Sequence, residues 1–280
     1  MFSKISNSWQ LVKASAAVLA ADKELMIFPI ISAIGTIIVT LTFAFPLILS
    51  GFFEGVFGGL GQIVGFLVLF VFYVVQYFVI FFCNTALVGA ALIRLNGGDP
   101  TVADGFRIAL KHAPSIAGYA LIAATVGIIL RWLSERGGMI GRLVVSLIGF
   151  AWNIATYLVV PVLVMEEVGP VEAIKRSASL LRKTWGEQLV GNFGLGAVFG
   201  LVTVLLILLM VPLIAAAVAL QNLILIGLVV ITFVMAFILL GLVNSALSGI
   251  YAAAVYNYAA NGKTGDFFDP EIIKHAFRSK

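Results

Sequence analysis

The chain has 280 residues, of which 62% are hydrophobic and 11% charged, with a net charge of +4. Ordinary soluble domains carry about 25% charged residues, so this composition excludes a soluble globular domain. The single cysteine, Cys83, excludes an intrachain disulfide and reads as a small packed hydrophobe.

Residues 1–24 read as an amphipathic helix. Ile5, Trp9, Val12 and Ala16 recur at helical spacing, with Lys4, Lys13 and Lys23 beside them. Apolar stripe, basic flank and tryptophan together describe a helix in the headgroup layer. The first charge-free run begins at Leu25 and continues to residue 53. It is too long for the apolar core of a signal peptide, so it is expected to stay as a membrane anchor. A second run covers 55–93. At about 1.5 Å rise per residue each can cross a hydrocarbon core about 30 Å thick. Spans are expected over 25–50 and 62–93, forming a first hairpin over 25–93. The loop 94–112 follows, with Arg94, Arg107 and Lys111. Within it Gly98-Asp99-Pro100 reads as a helix start, because proline suits the first helical turn and aspartate the N-cap.

A second hairpin is expected over 113–165, with spans at 113–132 and 143–165. The loop 166–188 again opens a short helix, at Gly169-Pro170. Its apolar stripe is Ile174, Ala178, Leu181 and Trp185, and Lys175, Arg176, Arg182 and Lys183 lie on other faces. Then come 75 residues, 188–262, without an Asp, Glu, Lys, Arg or His. Both flanks of this run are basic, and basic loops stay on the cytoplasmic side. An even number of crossings follows. Two spans, 189–219 and 223–257, with a turn at Gln221-Asn222, form a third hairpin over 189–257. Pro212 falls inside the first of these, where a transmembrane helix tolerates it. The tail 258–280 contains Asp269-Pro270, a third helix start. A β-barrel would show short alternating segments instead.

The expectation is thus a single all-α integral membrane domain. It has six transmembrane helices in three hairpins, each preceded by a cytoplasmic amphipathic interfacial helix. With both termini inside, 14 of the 17 basic residues are cytoplasmic, and only Arg131, Arg136 and Arg142 are outside. That split is a strong positive-inside signal. It implies that both termini are cytoplasmic.

An internal repeat is legible. Asn84-Thr85-Ala86-Leu87-Val88-Gly89 in span two matches Asn244-Ser245-Ala246-Leu247-Ser248-Gly249 in span six. Span four carries its own Asn153. With the helix starts at Pro100, Pro170 and Pro270, this suggests three parallel copies of one unit. Chance resemblance in a chain rich in Leu, Ala and Gly is the competing reading. Gly196 and Gly200, four apart, can seat a close helix contact.

Apart from Arg131 at the outer end of the third, the expected spans contain no ionisable Asp, Glu, Lys, Arg or His, which disfavours proton coupling. Neither His112 nor His275 sits in a metal-ligand pattern, and no phosphate-binding glycine loop occurs. No cofactor or metal is expected, and the chain reads as a non-enzyme. The polar residues at depth are Asn84, Thr85, Asn153, Thr156, Asn244 and Ser245. Asn84, Asn153 and Asn244 can form a polar ring lining a hydrated path. They can equally be hydrogen-bonded pairs linking helices, at about 0.6 kcal/mol each. Lys175, Arg176, Arg182 and Lys183 are candidate contacts for anionic lipid headgroups. Glu166, Glu167 and Glu172 are expected to pair loosely with Lys175 and Arg176. Nucleic acid is a poor partner, since topology alone distributes the basic residues. Homo-oligomerisation or a membrane-protein partner stays open.

The stretch from Ser8-Trp9-Gln10-Leu11-Val12-Lys13-Ala14-Ser15 through Asp22-Lys23-Glu24-Leu25 and Phe28-Pro29 resembles an uncharacterised family of bacterial and archaeal multi-pass membrane proteins. Residues 161–185, with Glu166, Ala173, Arg176-Ser177 and Leu180-Leu181, are similar to the same family. More distantly the chain resembles the membrane domain of some glycerophosphodiester phosphodiesterases. The resemblance implies this architecture and a prokaryotic cytoplasmic (inner) membrane location, and it carries over no functional residue. Two functions remain: a passive conduit or transporter for a small solute or lipid, and a non-transporting membrane scaffold or assembly partner.

Overall fold

The computed structural model describes residues 2–49, 60–185, 194–269 and Ile273. Helix α1 spans Phe2–Ala21 and is followed by one 3₁₀ turn at Lys23–Met26. The first hairpin is α2 (Ile27–Leu49) and α3 (Leu60–Leu95), after which comes the short α4 (Val102–Lys111). The second is α5 (Ala113–Arg136) with α6 (Gly138–Thr156) and α7 (Val159–Glu166), followed by α8 (Pro170–Trp185). The third is α9 (Gly194–Ala219) and α10 (Leu223–Asn261). Among the described residues there is no strand, and six stretches are long and apolar enough to cross a membrane. The protein is an all-α multi-pass membrane protein. The beginning of the expected fifth span and the tail beyond Asp269 apart from Ile273, with the expected helix start at Pro270 and with Lys274, His275, Arg278 and Lys280, lie outside the described residues.

Local chemistry sets several boundaries. Gln221, at φ 50°, and Asn222 make the turn of the third hairpin, and the Asn222 side chain caps α10 by accepting from the Leu225 N–H. Pro212 sits inside a continuous α9. Pro170 is the first residue of α8, as the sequence suggests, but α4 starts differently. Its cap is Thr101, which exchanges hydrogen bonds with Asp104 in a capping box. Pro100 stays outside the helix, and Asp99 pairs with Arg94 at 3.1 Å.

The expected fourth span is two helices. Pro161 has no N–H to offer the Tyr157 carbonyl, and its ring crowds the turn before it. The helix breaks at Tyr157–Leu158. Tyr157 N–H then bonds Ile154 carbonyl at 3.2 Å, leaving Leu158 N–H without its helical acceptor. Ser177 on α8, fully buried, accepts that bond at 3.0 Å.

The three short helices pack in one common way. On the described part of α1 and just after it the buried positions are Leu11, Ser15, Val18 and Asp22. On α4 and into α5 they are Gly105, Ala109, His112 and Ile116. On α8 they are Ala173, Ser177 and Leu180, with Leu181 beside them. All three follow i, i+4, i+7 with a small residue at the second position. This stripe is one residue away from the one the apolar pattern suggests. Trp9 is 49% exposed, and Val12, Ala16, Ile174 and Ala178 are half-buried. The side chains of Ile5 and Trp185 lie outside what the structure describes. Small polar residues are buried here because each helix docks closely on protein, not on lipid alone.

Each short helix precedes a hairpin in the chain, as expected, yet packs mainly on a different one. Helix α4 lies on the first hairpin, where Phe106 meets Phe28 and Gly105 lies against the Ala86 carbonyl. Helix α8 lies on the second, and α1 on α9 and α10 of the third. The packed unit is therefore a hairpin with the helix that follows it, and α1 closes the ring by serving the last hairpin.

Ion pairs and hydrogen bonds gather the loops at one end. Arg94 donates to the Ala21 and Gly98 carbonyls and sits 3.7 Å from Asp22. Glu24 accepts from the Val102 N–H. Glu166 binds Arg176 at 3.0 and 2.8 Å and accepts from the Tyr256 hydroxyl at 3.2 Å. Lys111 pairs with Glu167. The hydrophobic core lies beneath this charged end, in residues 86–95, 158–163 and 250–256 with Leu11, Val18 and Ile273. Towards the other end the helices present apolar side chains outward, such as Leu41, Ile63, Leu147 and Leu208.

Candidate binding cavity

The two repeated hexapeptides meet. Helices α3 and α10 cross where a Cβ on Gly249 would stand 2.4 Å from Leu87 Cδ2 and 3.3 Å from Asn84 Oδ1. The missing side chain lets the Asn84 turn of one helix seat on the other. By contrast, Gly196 and Gly200 face open space, so the expected small-residue contact is absent there.

Beside this crossing is a cavity of about 380 Å³. Phe28, Pro29 and Ser32 of α2 form one wall. Ile80, Cys83, Asn84 and Leu87 of α3 form the second. Asn244, Ser245, Ser248 and Ala252 of α10 form the third, and Tyr157 enters from the break between α6 and α7. All three hairpins thus contribute. The polar set comprises two amides, three serine hydroxyls, a thiol and a phenol; Ser32 hydrogen-bonds the Cys83 thiol. None of the lining residues is an acid, a lysine, an arginine or a histidine.

The structure brings together Asn84 and Asn244 but not the full expected ring. Asn153 is exposed on α6, because the helix break turns Tyr157, one turn later, into the cavity. Thr85 and Thr156 bond back to the Phe81 and Trp152 carbonyls of their own helices, 2.7 and 2.8 Å away, as threonines at depth commonly do. Tyr157 was not readable as a site residue. The nearest sequence signal was Pro161, four residues on.

Of the four basic residues on α8, Lys175, Arg182 and Lys183 are exposed. Arg182 and Lys183 flank a surface depression with Ala178 and Ser179. Arg176 is engaged by Glu166. Glu167 turns to Lys111 instead of the α8 cations expected for it, and that hydrogen bond holds its carboxyl below the usual range.

A second, open cavity of about 480 Å³ lies at the charged end. Leu92, Ile93, Ile108, Val164 and Met165 floor it, and Asn96, Lys111 and His112 edge it. His112 is buried, and burial, then Lys111, push its pKa down, with Glu167 opposing. Burial likewise raises Asp22, against the pull of Arg94.

A family model described as "Family of unknown function (DUF6159)" matches residues 63–268. The chain belongs to that family. No curated protein matches it, and no solved structure does. The matched segment contains both hexapeptides, the broken fourth span, and α4 and α8.

Proposed function

We propose that this family member is a conduit or transporter for a small uncharged solute or lipid in a prokaryotic cytoplasmic membrane, with both termini cytoplasmic. The observation that carries the reading is the cavity where three hairpins meet around Asn84 and Asn244. A charged cargo or a proton relay would need ionisable groups at that depth, and the cavity wall offers neutral hydrogen-bonding groups instead. The distribution of basic residues supports the orientation, and the end that gathers Arg94, Lys111 and Arg176 is the cytoplasmic one on this reading. Exposed Lys175, Arg182 and Lys183 suit anionic headgroups there. The likeness to bacterial and archaeal proteins supports the prokaryotic assignment. The phosphodiesterase likeness supplies no catalytic residue, and we read the chain as a non-enzyme.

The test is movement through reconstituted protein. Liposomes containing the full chain are assayed for uptake of neutral polyols by light scattering and for exchange of labelled lipids between leaflets. The Asn84→Leu/Asn244→Leu double variant is expected to abolish whichever movement occurs. Movement that persists undiminished in the double variant refutes the reading.

One observation favours the alternative of an assembly partner. Asn153 is exposed within an apolar helix, flanked by exposed Leu147, Ile148 and Phe150. An amide facing lipid gains by hydrogen-bonding to another helix. Asn153→Leu that dissolves a detergent-stable complex, while leaving movement intact, would assign this face to assembly.

A further inference from the structure

We infer that the inter-hairpin cavity takes a neutral hydroxylated lipid, entering sideways from the hydrocarbon phase with its headgroup held between the Asn84 and Asn244 amides. This rests on the functional reading above and names the ligand class for the same cavity.

Access comes first. The lining residues that are exposed on the outer surface are Ile80 and Ser245. Ile80 lies 14 residues before Arg94, and Ser245 lies 12 before Asn257. At 1.5 Å per residue they stand about 21 and 18 Å along their helices from the charged end, near the middle of a bilayer core about 30 Å thick. A mouth at that depth faces acyl chains. The inner wall climbs to Phe28 and Ala252; Ala252 is five residues from Asn257, about 7.5 Å along the helix. The cavity therefore runs from mid-membrane toward the charged end, with Asn84, Asn244 and Ser245 at its mid-membrane part.

Chemistry comes second. Asn84 and Asn244 each offer a donor pair and an acceptor, and Ser32, Ser245 and Ser248 offer hydroxyls. Phe28, Ile80 and Leu87 face them across the same space. A freely water-soluble polyol would press hydroxyls against those apolar walls. A phosphate or ammonium headgroup would be buried without a counter-charge, which is heavily unfavourable. An uncharged hydroxyl or ester headgroup on a hydrocarbon chain matches both surfaces. The volume, about 380 Å³, corresponds to roughly a dozen waters. It holds such a headgroup and the first methylenes, while the chain leaves through the mouth.

The test uses full-length protein in liposomes with two photoreactive, clickable probes of identical chains, a diacylglycerol and a phosphatidic acid. The diacylglycerol is expected to label peptides of residues 80–87 and 244–252, and unlabelled diacylglycerol to compete. Asn84→Leu/Asn244→Leu is expected to cut labelling at least tenfold. Ser245→Trp, at an exposed rim position that disturbs no core packing, is expected to do the same by blocking the mouth. Met139→Ala, at an exposed position at the start of α6, is expected to leave labelling unchanged. Equal labelling by the phosphatidic acid overturns the inference, as does labelling that is confined to outward-facing residues or is insensitive to Ser245→Trp. Polyol movement without cavity labelling overturns it too, while leaving the conduit reading intact. Cavity labelling without any movement supports the lipid site and sinks the conduit.

Discussion

Replacing Ser177 by Ala probes how the broken fourth span is held. The change deletes one oxygen atom and keeps Cβ, so little packing is lost. What is lost is the acceptor for Leu158 N–H, 3.0 Å away, where both residues are fully buried. A buried donor left unsatisfied costs about 1–3 kcal/mol. The cause of the break supplies the control. Pro161→Ala restores the N–H that Tyr157 carbonyl lacks, so the helical ladder can close and return Leu158 N–H to the Ile154 carbonyl. In that background Ser177→Ala should cost under ~0.5 kcal/mol, giving a coupling of at least ~0.5 kcal/mol between the sites. Reversible unfolding in mixed detergent micelles measures all four corners of the cycle. A penalty below ~0.5 kcal/mol in the parent chain, or one identical in both backgrounds, would show that the serine does not satisfy the break.

Three further outcomes are expected. The His112 pKa is depressed by burial, so the folded state favours the neutral imidazole; that stability is present above the unfolded value of about 6.5 and is lost as pH falls from there toward the folded pKa. Thermal unfolding in detergent between pH 7.5 and 5.5 should fall less steeply for His112→Gln than for the parent, and identical slopes would remove His112 from the account. Gly105→Ala puts a Cβ 2.4 Å from Phe28 Cζ and 2.8 Å from the Ala86 carbonyl oxygen, and should cost about 1–3 kcal/mol; Gly249→Ala meets the flexible end of Leu87 and should cost less, an order that thermal stability measurements would check. Met139, 90% exposed in the first turn of α6, should be labelled as cysteine by an impermeant maleimide in intact cells in a Cys83→Ala background, whereas exposed Ser179→Cys should need permeabilised cells; the reverse pattern would invert the topology.

Composition and charge determined the membrane class, the six crossings and the loop that belongs to each end. These follow from solvent exclusion alone: a charge-free run of 75 residues has few places to go, and its basic flanks report a side. The hexapeptide match pointed to a repeated unit, and that its two copies seat on each other at the α3–α10 crossing came from the structure. Tertiary structure decided the rest, because it depends on which faces touch. The apolar stripes of α1 and α8 were read one residue off, since hydrophobicity cannot tell lipid from protein, and the buried face uses small residues such as Ser15, Ala109 and Ser177 for close approach. Asn84 and Asn244 were separated from Asn153 by a helix break whose trigger, Pro161, was visible but whose partner, Ser177, lay across the fold. A cavity is a property of three hairpins assembled, and none of its walls carries a sequence signature of its own.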